Sequence, residues 1–159
     1  MDKAAIKRAL LDALDRTRAE ALAAQRAAQD ATTHEEARAE SDKDMRSTDT
    51  SYVARGQAMR VESLDAERAR VAAMPLRSFE ADDAIAVSAL VTITNGPKQR
   101  TIFVAVGGGG RVLAVNGTTL HVVTPSSPLG EALVGARAGD ELVVERGQHD
   151  EELTVMSVA

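Results

Sequence analysis

The chain contains no cysteine and no tryptophan, and its aromatic side chains are Tyr52, Phe79 and Phe103 alone. Without thiols there is no disulfide, no cysteine nucleophile and no thiolate zinc site, a usage that fits the cytoplasm. No apolar run approaches the ~20 residues of a membrane span. The opening MDKAAIKRALLDALDR is charged throughout and lacks the hydrophobic region of a signal peptide. A cytoplasmic protein without membrane contact is expected. The net charge of −5 speaks against general nucleic-acid binding, which usually needs a basic surface, so no independent DNA binding is expected.

Proline and glycine are scarce in one half only. Residues 2–74 hold no proline and one glycine, Gly56, whereas four prolines and ten glycines follow from Pro75 onward. Ala, Arg, Glu and Leu dominate the first half, all good helix formers. Proline rarely continues a helix, so the shift at Met74-Pro75 marks a boundary. The expectation is two domains, 1–75 and 76–159.

In the first domain Asp2 is placed to cap a helix. Ile6, Leu10, Ala13 or Leu14, Thr17, Ala21 and Ala24 then recur at helical spacing. If helical to about Ala31, the segment is ~45 Å long. A second stripe runs Ala54, Val61, Leu64, Val71, in the heptad-like steps of a coiled-coil seam. Two such helices joined by a polar turn predict an antiparallel coiled-coil hairpin, a finger whose tip lies within about 32–51.

That tip is acidic. Asp30, Glu35, Glu36, Glu40, Asp42, Asp44 and Asp49 stand against Arg38, Lys43 and Arg46. Such charge at one turn reads either as a solvated loop or as a site that presents carboxylates to a metal ion. Most basic residues of the helices have acidic neighbours to pair with. Arg55 and Arg60, nearest the tip, are the candidates for flanking RNA phosphates.

The second domain reads as strands over 86–94, 101–106, 112–115, 119–124, 140–146 and 152–158, punctuated by Asn95-Gly96-Pro97, by a hairpin turn at Gly107 to Gly110, and by Asn116-Gly117. SSPLGEALVG, 126–135, has the serine cap, early proline and closing glycine of a short helix. The prediction is an antiparallel sheet with one helix against it. Gly107 to Gly110 lacks the Lys-Ser/Thr of a phosphate loop. His34, His121 and His149 are too scattered for a metal site. The serines beside Pro128 have no histidine and acid partners at a recognisable spacing, so a cap is the better account than a nucleophile.

Ser127-Pro128-Leu129, Leu133-Val134-Gly135 and Gly139-Asp140 follow one another in the order and spacing found in the C-terminal domain of the bacterial Gre-type transcript cleavage factors, and the chain resembles that family. Tyr52 resembles a tyrosine that follows the acidic tip there. The resemblance implies an FKBP-like α+β fold for the C-terminal domain. It implies docking of that domain, through Ser127, Pro128 and Leu129, at the rim of the secondary channel of bacterial RNA polymerase. The finger would then reach the active site near the 3′ end of the nascent RNA. By the same resemblance, tip carboxylates hold a Mg²⁺ shared with the polymerase, and the protein has no cofactor of its own. Asp42 and Asp44 are the pair so assigned, with Glu40 and Asp49 in reserve. The factor would stimulate the nuclease activity of the polymerase rather than catalyse alone.

The sequence departs from the family at the tip, where Met45 and Thr48 stand in place of an aspartate and a glutamate. In the docking segment, Glu131 and Ala136 replace an arginine and a lysine. A regulator that occupies the channel without cleavage is therefore an alternative, as is a coiled-coil module that binds another protein. Prolyl isomerase activity, which the FKBP-like fold also serves, needs an aromatic-lined pocket that Phe79 and Phe103 alone would line poorly.

Overall fold

A computed structural model describes residues 2–38, 46–147 and 149–159. Two long helices come first, α1 (Lys3–Arg38) and α2 (Arg46–Ala73). There follow β1 (Leu90–Asn95), β2 (Lys98–Val104), β3 (Val112–Val115), β4 (Thr118–Val123), α3 (Pro128–Leu133), β5 (Glu141–Arg146) and β6 (His149–Val158). The chain divides into two compact units, one of Met1–Leu11 with Glu67–Ala159, the other of Asp12–Ala66.

The unit Asp12–Ala66 is built from the two helices. Ala21, Val61 and Leu64 are buried together, with Leu22 packed beside them. Arg18 on α1 pairs with Asp65 on α2, an exposed ion pair that orients more than it stabilises. Ala54 is half-buried in line with the expected second stripe. The first stripe differs from expectation past Ala21: Ala24 is exposed, and Gln25 and Ala28 turn inward instead. The inward positions Ala21, Gln25 and Ala28 keep the 3.5-residue period of a helix pair, and Ala24, three residues after Ala21, falls off it. Helix α1 also runs past Ala31 to Arg38. Thr33 fits because its hydroxyl donates to the Gln29 carbonyl one turn back, at 3.1 Å.

The other unit joins the base of the helices to the sheet. Asp2 caps α1 as expected, its carboxylate accepting the Ala4 N–H at 2.8 Å. Ile6, Leu10, Val71 and Met74 are buried here. Lys7 Nζ donates to the carbonyls of Ala72 and Met74, both at 2.7 Å, closing the C-terminal end of α2. The α2 helix stops at Ala73, two residues before Pro75. Lys3 Nζ donates to the Arg77 carbonyl at 2.6 Å and lies 4.5 Å from the centre of the Phe79 ring. Burial, with the Arg77 guanidinium adding to it, holds this amine below the usual lysine pKa.

The sheet has six strands in the order β3-β4-β2-β1-β6-β5. It is antiparallel as expected save for one pair: β2 and β4 run parallel, with Ile102 beside His121 and Val104 beside Val123. Gly107 to Gly110 is therefore not a hairpin turn between neighbours. It carries the chain past the place of β4 to the edge, and the β3–β4 hairpin folds back into the gap. The glycines serve that crossing. A Cβ on Gly108, at φ +78°, would come 2.5 Å from Leu10 Cδ1, and one on Gly107 would come 2.8 Å from Glu67 Cγ. The Glu67 carboxylate accepts the Gly108 N–H at 2.6 Å.

The first strand begins at Leu90, four residues later than the β-branched run from Ala86 suggests. Ser88 is the cause. It is fully buried at φ 72°, a left-handed conformation that ends a strand. Its hydroxyl accepts the Arg77 N–H at 2.9 Å and its own N–H donates to Val104 at 2.8 Å. One face of the sheet carries Val91, Ile93, Ile102, Val104, Leu153 and Val155, and Leu129, Leu133 and Ala136 of the α3 region are buried with them. Phe103 is buried and, by strand alternation, points to the other face.

The Leu10–Gly108 approach is testable. Leu10→Ala is expected to lower stability by about 2–4 kcal/mol, and Gly108→Ala by about 1–3 kcal/mol through crowding and backbone strain. The double variant should lose less than the sum, because the vacated leucine space takes the new methyl. Urea unfolding midpoints measure this, and strictly additive losses would mean that the two positions do not meet.

Candidate functional site

Two regions carry the residues singled out in the sequence. On the helical hairpin, Glu40, Asp42, Asp44 and Met45 lie outside the described residues, and Asp49 falls in the first turns of α2. Beyond it Tyr52 is 70% exposed, and Met59 is exposed two turns on along the same face. Arg55 and Arg60 are both exposed. They do not share a face: at 3.6 residues per turn, Arg55 lies about 60° to one side of Tyr52 and Arg60 about 80° to the other. The two guanidinium-bearing positions thus flank an aromatic ring. Among the described residues, no three His, Asp or Glu side chains gather into a group fit to hold a metal ion.

The second region is the start of α3. Ser127 caps the helix: its Oγ accepts the Gly130 N–H at 3.1 Å and donates to the Thr124 carbonyl at 2.8 Å. Both lone-pair and proton capacity serve the cap, which accounts for the serine without a nucleophilic role. Pro128 occupies the first helical turn and is exposed, while Leu129 is 8% exposed and part of the core. Of the three motif residues, two build the helix and one faces outward. Glu131 is exposed, as the sequence comparison assumed, but Ala136 is 8% exposed and lies in the core, so that position presents no surface for charge.

Beside this helix lies an open cavity of about 290 Å³ that the sequence reading missed. Arg100 of β2, Arg111 of the β2–β3 connection and His121 of β4 line it, over Ile102, Val123 and Leu129. Arg100 is held by the Glu151 carboxylate of β6 at 2.5 Å, and Asn95 donates to the same oxygen at 3.2 Å. The arrangement depends on the parallel β2–β4 pairing, which sets His121 beside Ile102. Neither Phe79 nor Phe103 lines the cavity, so it is not the aromatic pocket that prolyl isomerisation needs.

Comparisons with known proteins bear on the second region. A family model described as "Transcription elongation factor, GreA/GreB, C-term" matches residues 80–159. No curated protein matches the chain. A solved structure titled as the transcription factor Gfh1 is 17% identical, with a TM-score of 0.42 and coverage of 94% of this chain and 93% of that one. The GreA factor homolog 1 (Gfh1) protein of Thermus thermophilus is 14% identical, at a TM-score of 0.40 and 94% coverage of each chain. A prokaryotic transcription elongation factor GreA/GreB from Nitrosomonas europaea is 14% identical, at a TM-score of 0.37, with coverage of 64% of this chain and 91% of that one.

The cap and the outward residue should separate by mutation. Ser127→Ala is expected to lower stability by about 1 kcal/mol and Leu129→Ala by about 2–4 kcal/mol. Pro128→Ala should change it by less than about 1 kcal/mol. Thermal unfolding of the three variants checks the order.

Proposed function

Because the chain belongs to the GreA/GreB family of transcription elongation factors, we propose that it works on bacterial RNA polymerase by way of the secondary channel and stimulates cleavage of backtracked transcripts. Its C-terminal domain docks at the channel rim, with Pro128 and the exposed side of α3 among the contacts. The helical hairpin enters the channel and brings its acidic turn to the polymerase active site, near the RNA 3′ end. Asp42 and Asp44 act there, with Glu40 and Asp49 as the next nearest acids.

One observation carries this reading. The unit Asp12–Ala66 is a pair of helices on an alanine, valine and leucine seam, separate from the unit that holds the sheet. Residues 12–38 of α1 alone run ~40 Å at ~1.5 Å per residue. Such an element suits delivery of its turn to a distant centre. Carboxylates are the hard oxygen donors that Mg²⁺ takes. A second cation shared with the polymerase would supply activation of the attacking water. The part of this chain is to carry the carboxylates and hold them in place, with Arg55, Arg60 and the Tyr52 ring toward the RNA. The protein alone hydrolyses nothing.

Met45 and Thr48 favour a second reading, in which the factor occupies the channel and modulates initiation or elongation without cleavage. Transcript cleavage on stalled, backtracked complexes decides between them. Wild type should accelerate cleavage, and Asp42→Ala/Asp44→Ala should lose ~10–100-fold of that acceleration while still binding polymerase. Binding without acceleration by wild type establishes the second reading and refutes the first.

A further inference from the structure

We propose that Asn116 is a site of spontaneous modification: the Asn116-Gly117 turn converts to aspartate and isoaspartate, whereas Asn95-Gly96, the same dipeptide in the same sheet, is held against it. This is independent of the polymerase reading.

The chemistry needs two neighbouring groups. The backbone nitrogen after an asparagine gives its proton to a base and attacks the side-chain Cγ. A C–N bond forms, the Cγ–Nδ2 bond breaks, and the departing nitrogen takes up one proton and leaves as ammonia. The five-membered succinimide so formed adds one water. Opening at the side-chain carbonyl leaves an aspartate in an ordinary backbone. Opening at the backbone carbonyl leaves isoaspartate, with the chain running through the side-chain carbons. Nothing is oxidised or reduced. Glycine at the second position favours attack because no Cβ shields its nitrogen, and the space around Gly96 and Gly117 is open at both.

The two asparagines differ in what holds them. The Asn95 amide donates to Glu151 Oε1 at 3.2 Å, in a half-buried site, and Arg100 holds the same carboxylate. Attack on its Cγ must first break that tether. Asn116 is exposed, and its side chain has no hydrogen-bond partner among the described residues. The backbones differ too. Asn116 at φ 51° and Gly117 at φ 77° form the two-residue turn of the β3–β4 hairpin, and ring closure requires Asn116 to swing out of it. That opening is cheap here, because β3 is four residues long and lies at the edge of the sheet. Asn95 ends β1, which is paired on both sides, with β2 and with β6.

The products differ in consequence. Asp-Gly suits this turn as Asn-Gly does, so aspartate adds a negative charge and keeps the pairs Val115 with Thr118 and Ala114 with Thr119. Isoaspartate inserts one more backbone carbon between them, which that register does not accommodate.

The test ages the full chain in mildly alkaline buffer, folded and in urea, and follows tryptic peptides by mass spectrometry. Cleavage after Arg77, Lys98, Arg111 and Arg137 puts Asn95 and Asn116 on separate peptides. In the folded chain the Asn116 peptide should show the amide-to-acid mass change roughly fivefold faster than the Asn95 peptide or more, the difference that one side-chain hydrogen bond makes. In urea the two rates should converge. Asn116→Asp should keep the thermal midpoint of fresh wild type, and the isoaspartyl fraction of the aged protein should melt lower. Equal rates in the folded chain overturn the proposal, as does conversion of Asn116 in urea alone. A rate difference that persists unchanged in urea belongs to the local sequence and overturns the protection of Asn95 by the fold. A lowered midpoint for Asn116→Asp, or an unchanged one for the isoaspartyl fraction, overturns the stated consequence.

Discussion

The side chain of Leu10 stands where any residue other than glycine at 108 would put its own. Much of the sheet-bearing unit is arranged around that approach. Glu67 and Val71 close on Gly107 from α2, and the Glu67 carboxylate takes the Gly108 N–H. The β2–β3 connection is thereby pinned to the helix base as it crosses toward the edge of the sheet. Once the chain has crossed, the β3–β4 hairpin returns into the vacant place, and β4 necessarily lies parallel to β2. That parallel pair in turn brings His121 level with Ile102, and so forms one wall of the basic cavity. One unit thus holds both the close approach of Leu10 to Gly108 and the strand pairing that sets His121 beside Ile102.

Local signals made most of the elements legible. The proline at 75, the capping aspartate at 2, the heptad seam of α2 and the Ser-Pro start of α3 each act over one or two turns of chain, and each stands as the residues imply. What escaped was set by contacts between distant segments. No local pattern shows that β4 inserts beside β2, since two antiparallel hairpins would use the same alternating residues. Ser88 looks like one more strand residue until the Arg77 N–H and the Val104 carbonyl claim it. Ala24 fits a helical spacing, but the 3.5-residue period of the helix pair turns Gln25 and Ala28 inward instead, and Ala136, in the segment expected to dock, lies in the core. Arg100, Arg111 and His121 belong to three elements, so their convergence has no signature in spacing.

The candidate tip poses a different problem. Carboxylates crowd this stretch of the sequence, and composition alone assigns a role to no one of them. The GreA/GreB family model covers residues 80–159 and does not reach this stretch, where the neutral Met45 and Thr48 interrupt the acids. Glu40, Asp42 and Asp44 lie outside the described residues, and Asp49 is placed only as part of α2. Arg55 and Arg60, named together in the sequence, lie on opposite sides of Tyr52 and so do not share a face of α2.

Strand β6 lies between β1 and β5, and Leu90 exchanges both backbone hydrogen bonds with Ala159. Without residues 149–159, β5 would lack a partner strand and β1 would have an open side. During synthesis the sheet can close only after β6 has left the ribosome. The helical pair at 12–66 depends on nothing so remote. The two units are thus suited to acquire structure at different times, the one complete once residue 66 is made and the one sealed by β6 later.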